Sequence, residues 1–149
     1  MTGREYPFRF AERCLYEYHE NVVRLGKLRD RLAVLYASST AAVQNWDANH
    51  GKGAVGDPVA IRELKILNLE EEIKRLAERT EPITRLVANL EAPYVLEGSP
   101  KFEMARVMRM YYFGGNNRKL VGRKLGMEPR TLYNWRKKLV NMLLGYMGL

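Results

Sequence analysis

Ile66, Leu69, Ile73, Leu76, Thr80, Ile83, Val87 and Leu90 follow one another at a strict alternation of three and four residues. Side chains at that spacing fall on one stripe of an α-helix, and a stripe this long has to be buried against another helix. Leu25, Leu28, Leu32 and Leu35 supply a second stripe within a helical region from about Phe8 to Tyr36, where a break is expected near His19–Asn21. The seam therefore packs against this first region as an antiparallel hairpin, or pairs with a second copy as a homodimeric coiled coil. Asp57 is placed to cap its helix, with Pro58 at the first position, where a missing N–H costs nothing. Pro82 removes a hydrogen bond inside the pattern and crowds the carbonyl of Glu78, which predicts a kink or a fresh start capped by Thr80.

Clusters of Gly and Pro divide the rest, and the periodicity between them is helical with no convincing strand, so the fold class is all-α. The loop at 37–57 carries Gly51, Gly53 and Gly56. It is long for a connection inside a compact domain, which points to mobility or function. Ala92–Pro100, with two prolines and Gly98, marks a boundary. The division expected is a helical hairpin or bundle over 1–97, serving oligomerisation or partner contact, and a trihelical unit over 98–149. Lys101–Phe113 is the supporting helix of that second unit.

Charge is distributed unevenly across these parts. Residues 1–100 hold 14 Lys and Arg against 15 Asp and Glu, whereas residues 101–149 hold 11 against 2, so the net charge of +8 resides in the last third. A concentrated basic segment attracts a polyanion. No run of about 18 apolar residues is present to span a bilayer, and Met1–Glu5 lack the apolar core of a signal peptide, so no membrane partner and a cytoplasmic location are expected. The one cysteine, Cys14, lies among Ala11, Leu15 and Tyr18 at helical spacing and is expected as a buried thiol.

Within the basic segment, Leu120 to Trp135 has the spacing of a helix-turn-helix. Gly122 sits where the first helix meets the second and leaves no room for more than a methyl group. Gly126 lies where the backbone turns, because glycine takes φ > 0 without a Cβ clash. Val121 and Leu125 face inward, and Met127 plugs the corner. Glu128 and Pro129 open the second helix, and Leu132, Trp135, Leu139 and Leu143 form its buried stripe. At 100° per residue the opposite face centres on Arg130, Asn134, Lys137 and Asn141, flanked by Tyr133 and Lys138. Arginine grips guanine O6 and N7 with two bonds, asparagine does the same for adenine, and lysine neutralises phosphate. Arg130, Tyr133, Asn134 and Lys137 are thus the candidate base readers. Arg118, Lys119, Arg123, Lys124, Thr131 and Lys138 are the candidate contacts to the DNA backbone.

The run Phe102-Glu-Met-Ala-Arg-Val-Met-Arg-Met-Tyr-Tyr-Phe113, Gly114-Gly-Asn-Asn-Arg-Lys-Leu-Val-Gly-Arg-Lys-Leu-Gly126 and Met127-Glu-Pro-Arg-Thr-Leu-Tyr-Asn-Trp-Arg-Lys-Lys-Leu139 resembles region 4 of bacterial sigma factors. With its helical N-terminal part and the Gly-Asp-Pro at Gly56–Pro58, the whole chain is similar to the ArpU/RinA group of phage late-gene regulators. That resemblance, carried mainly by residues 101–144, implies a sequence-specific activator working with the host RNA polymerase in the bacterial cell. Gly114–Asn117 and Pro129 depart from the family pattern.

Other signals carry less. Gly51-Lys-Gly-Ala-Val-Gly56 matches G-x-G-x-x-G, but no strand precedes it, and Asp57 and Pro58 stand where a phosphate loop needs Lys and Ser or Thr. His19 and His50 have no zinc-ligand spacing around them, Glu70–Glu72 spread around a helix as a solvated face, and Met104, Met108 and Met110 fill a core. Neither a metal, a cofactor nor a catalytic motif is expected, so the chain reads as a binding protein. The leading reading is a transcription regulator on double-stranded DNA, its reader helix at about 128–144 in the major groove. The alternatives are a small terminase subunit, which would form a large closed oligomer, and an adaptor using its basic helices on an acidic protein. A homodimer on DNA, with the Ile66–Leu90 seam as interface, is opposed by the reading in which Leu25, Leu28, Leu32 and Leu35 consume that seam within one chain.

Overall fold

In a computed structural model the described residues are 5–38, 57–115 and 117–149. They are helical, with no strand among them, as the periodicity predicts: α1 (Glu5–Ala37), α2 (Pro58–Leu90), α3 (Pro100–Val107) continuing into a π-helical segment (Met108–Phe113), α4 (Arg118–Leu125) and α5 (Pro129–Met147). The long loop, its glycine motif at 51–56, His50 and Asn116 fall outside the described residues, apart from the loop's ends at Ala37, Ser38 and Asp57.

Asp57 caps α2 as expected, its Oδ1 accepting from the Val59 amide at 3.1 Å while Pro58 takes the first position. Two local expectations are corrected. Helix α1 runs unbroken through His19–Asn21. Helix α2 continues through Pro82 without a fresh start, so Thr80 is no cap; it is buried in the helix interior and its carbonyl accepts from Thr84 Oγ1 at 3.1 Å. The released Glu78 carbonyl is one lost bond within a 33-residue helix, and the buried Pro82 ring helps to fill the interior instead.

The chain divides into two compact units, and not at 97/98. One comprises Val22–Ala77; the other joins Met1–Asn21 to Glu78–Leu149. In the first, the end of α1 and the start of α2 run antiparallel, burying Leu25, Leu28 and Leu76 with Leu69 and Ile73 packed beside them. Arg24 pairs with Glu72 and Tyr36 bonds to Glu70. Arg62 donates to the carbonyls of Leu35 and Tyr36 at 3.1 and 3.2 Å, satisfying groups that the end of α1 leaves open.

In the second unit, Ala11, Cys14 and Leu15 from α1 and Ile83, Leu86 and Leu90 from α2 share one apolar cluster with Val107, Met108, Val121, Leu132, Leu139, Val140 and Leu143. Cys14 is buried, as its neighbours predict, and burial pushes its thiol above the ordinary pKa. Ser99 caps α3, its Oγ accepting from the Phe102 amide at 3.3 Å, with Pro100 next. The Pro and Gly cluster before α3 is thus a turn within this unit rather than a border. Within the chain the heptad seam packs in both units, its early members in the hairpin and Ile83 and Leu90 in the larger cluster.

Candidate nucleic-acid interface

Helix α4 starts at Asn117, whose Oδ1 accepts from the Leu120 amide at 2.9 Å, and ends at Gly126 in the left-handed conformation, φ 66° and ψ 33°. There the Met127 amide donates to the Gly122 carbonyl at 2.9 Å and the Gly126 amide to the Arg123 carbonyl at 3.3 Å, the paired bonds that close a helix on a glycine. A Cβ on Gly122 would lie 3.0 Å from the Met127 carbonyl oxygen. The close neighbour of Gly122 is therefore the turn, not the second helix as the spacing alone suggested. Glu128 then precedes α5, Pro129 is its first residue, and the helix runs to Met147, about a turn past the expected end.

On α5 the two faces separate. Leu132, Leu139, Val140 and Leu143 are buried, while Arg130, Thr131, Tyr133, Asn134, Lys137, Lys138 and Asn141 are exposed. Trp135 is only half-buried, a correction to the expected stripe; its ring carries the Lys138 ammonium at 4.6 Å, which occupies that candidate backbone contact. Among the described residues Lys119, Arg123, Arg130 and Lys137 form no ion pair, so their charge is available to a ligand.

The candidate backbone contacts do not all gather in one place. Arg118, Lys119 and Arg123 line a cleft of about 700 Å³ between α4 and α5, whose other wall includes Leu132, Tyr133 and Arg136. Lys124 lies instead in a separate groove of about 500 Å³ with Phe102, Arg106, Arg109 and Leu125. Arg118 is also tethered, its Nε donating to the Tyr111 hydroxyl at 3.3 Å.

Sequence reasoning gave Arg136 no role, yet it is the buried cation of the motif, 8% exposed. Its Nη2 bonds to Glu12 Oε2 at 3.0 Å, that oxygen also accepts from the Tyr112 hydroxyl at 2.7 Å, and the guanidinium lies 4.2 Å from the centre of the Tyr111 ring. Burial opposes its charge, but the bond with Tyr112 and the fields of Tyr112, Tyr111 and Glu12 outweigh this and hold its pKa above the usual guanidinium value. Burial, with Glu12 accepting its hydrogen bond, pushes the Tyr112 hydroxyl well above the ordinary phenol range. The available signal was position: Arg136 is four residues from Leu132 and Val140 and three from Leu139, so it falls on the buried stripe.

Among the described residues no cluster of His, Cys, Asp and Glu could hold a metal, and no helix is long and apolar enough to cross a membrane. No protein-family model, curated protein or solved structure matches the chain.

Proposed function

We propose that this chain binds double-stranded DNA with α5 in the major groove, and that it regulates transcription rather than catalysing a reaction. One observation carries the reading: side chains able to read bases, Arg130, Tyr133, Asn134 and Lys137, share the solvent face of a helix whose opposite face is buried. The adjoining cleft wall of Arg118, Lys119 and Arg123 suits the phosphates that flank a groove-bound helix. The resemblance to late-gene regulators adds activation and the host RNA polymerase as partner.

The test is duplex binding by the full chain at rising ionic strength. Each neutralised phosphate contributes about 0.9 to the slope of log affinity against log salt. Arg130→Ala and Asn134→Ala should each reduce discrimination between preferred and random duplex by about 1–3 kcal/mol. Lys119→Ala and Arg123→Ala should weaken both alike, and Lys124→Ala should do so less, since it lines the other groove. Affinity indifferent to salt, or equal losses on all duplexes for Arg130→Ala and Asn134→Ala, would overturn this reading.

A further inference from the structure

Building on that DNA reading, we propose that Glu12, at the start of the chain's first helix, is a positioning residue that sets the orientation of the base-reading face of α5 through the buried guanidinium of Arg136. The geometry joins four elements in one polar chain. Glu12 of α1 holds Arg136 of α5 at 3.0 Å and the Tyr112 hydroxyl of the π-helical segment at 2.7 Å. Beside Tyr112, Tyr111 presents its ring to the Arg136 guanidinium and its hydroxyl to Arg118 of α4. Both helices of the motif are therefore tied to an anchor outside it.

Apolar burial along Leu132, Leu139, Val140 and Leu143 holds α5 against the core, but that attraction is non-directional. It resists separation more than rotation. The Arg136 guanidinium, held by one charge-assisted bond from Nη2 to Glu12 and set over the Tyr111 ring, has a preferred direction and resists both. The difference matters for reading bases: rotating a helix by about 20° moves a side chain at about 5 Å from the axis by nearly 2 Å, more than a base-edge hydrogen bond tolerates. A buried ion pair adds little net stability over an apolar replacement, so a directional role is the use that best accounts for it. Tyr112 is buried and Glu12 is half-buried against Arg136, so they act through α5 rather than as base contacts themselves.

The experiment selects from a pool of duplexes with a randomised centre, using the full chain, and sequences the bound fraction for wild type, Glu12→Ala, Tyr112→Phe and Arg130→Ala. Glu12→Ala should flatten the enrichment of preferred sequences by about fivefold or more, on the scale of one lost base contact, while affinity for random duplex and its salt slope persist. A purely structural role removes folded molecules and lowers the amount bound, but leaves the preferences of the folded remainder unchanged; that pattern overturns the proposal. Where Glu12→Ala fails to fold, Glu12→Gln retains an acceptor oxygen and Tyr112→Phe retains the ion pair. Both should flatten the preferences partly, and unchanged preferences in both overturn the proposal. Flattening by Arg130→Ala alone refutes positioning and leaves DNA reading intact, whereas a wild type that enriches nothing removes both.

Discussion

Gly122 shows how much one absent carbon can decide. Its α-carbon lies in helix α4 at the point where the chain turns back, and the nearest atom to a would-be Cβ is a backbone carbonyl, which cannot swing aside like a side-chain tip. Valine there adds a branched carbon to an already tight approach, so Gly122→Val should cost about 2 kcal/mol or more and distort the turn. Gly145 offers the contrast, since it lies inside α5 with nothing within 4 Å of a built Cβ. Gly145→Ala should raise stability by about 0.5–1 kcal/mol through helix propensity alone. Thermal melts of the two variants check this pair, and a Gly122→Val protein as stable as the parent would refute the tight-turn account.

At the scale of elements, the seam on α2 serves two different environments at one spacing. Ile83 is fully buried in the larger cluster, whereas Ile73 is half-buried in the hairpin. Ile83→Ala should therefore cost about 3–4 kcal/mol and Ile73→Ala about 1–2 kcal/mol, measured by denaturant unfolding; equal losses would show that the burial difference is not energetic. Periodicity made the helices and the two faces of α5 legible, because which residues share a stripe depends on local spacing. Gly126 and Pro129 were legible for the same reason, as each is dictated by its own backbone. What joins Glu12 to Arg136 is not local: a pair 124 residues apart leaves no trace in any window of sequence. The Ala92–Pro100 turn was misread as a border because prolines and glycine mark a bend in the chain without saying whether the same core continues beyond it. The fresh start expected at Pro82 was misread in the opposite sense, since the helix continues through one missing backbone bond.

For the molecule as a whole, the C-terminal helices are not a detachable module. Val107, Val121, Leu139 and Leu143 lie in one cluster with Ala11, Leu15, Ile83 and Leu86, which a fragment of residues 98–149 lacks. Such a fragment is left with exposed apolar surface and an Arg136 without its carboxylate, and should show no cooperative thermal transition by circular dichroism. A sharp transition near that of the full chain would sink this expectation and restore the boundary at 97/98. The same arrangement bears on synthesis. Helix α1 leaves the ribosome with Ala11, Cys14 and Leu15 uncovered, and Glu12 has no cation to meet until Arg136 has been translated. Closure of this unit thus waits for α5, and until that helix has been translated the nascent chain carries a sticky, half-finished surface. A cell that makes it quickly and in quantity has to shield that surface in the interval, so demand for chaperones should scale with its rate of translation rather than with the stability of the finished fold.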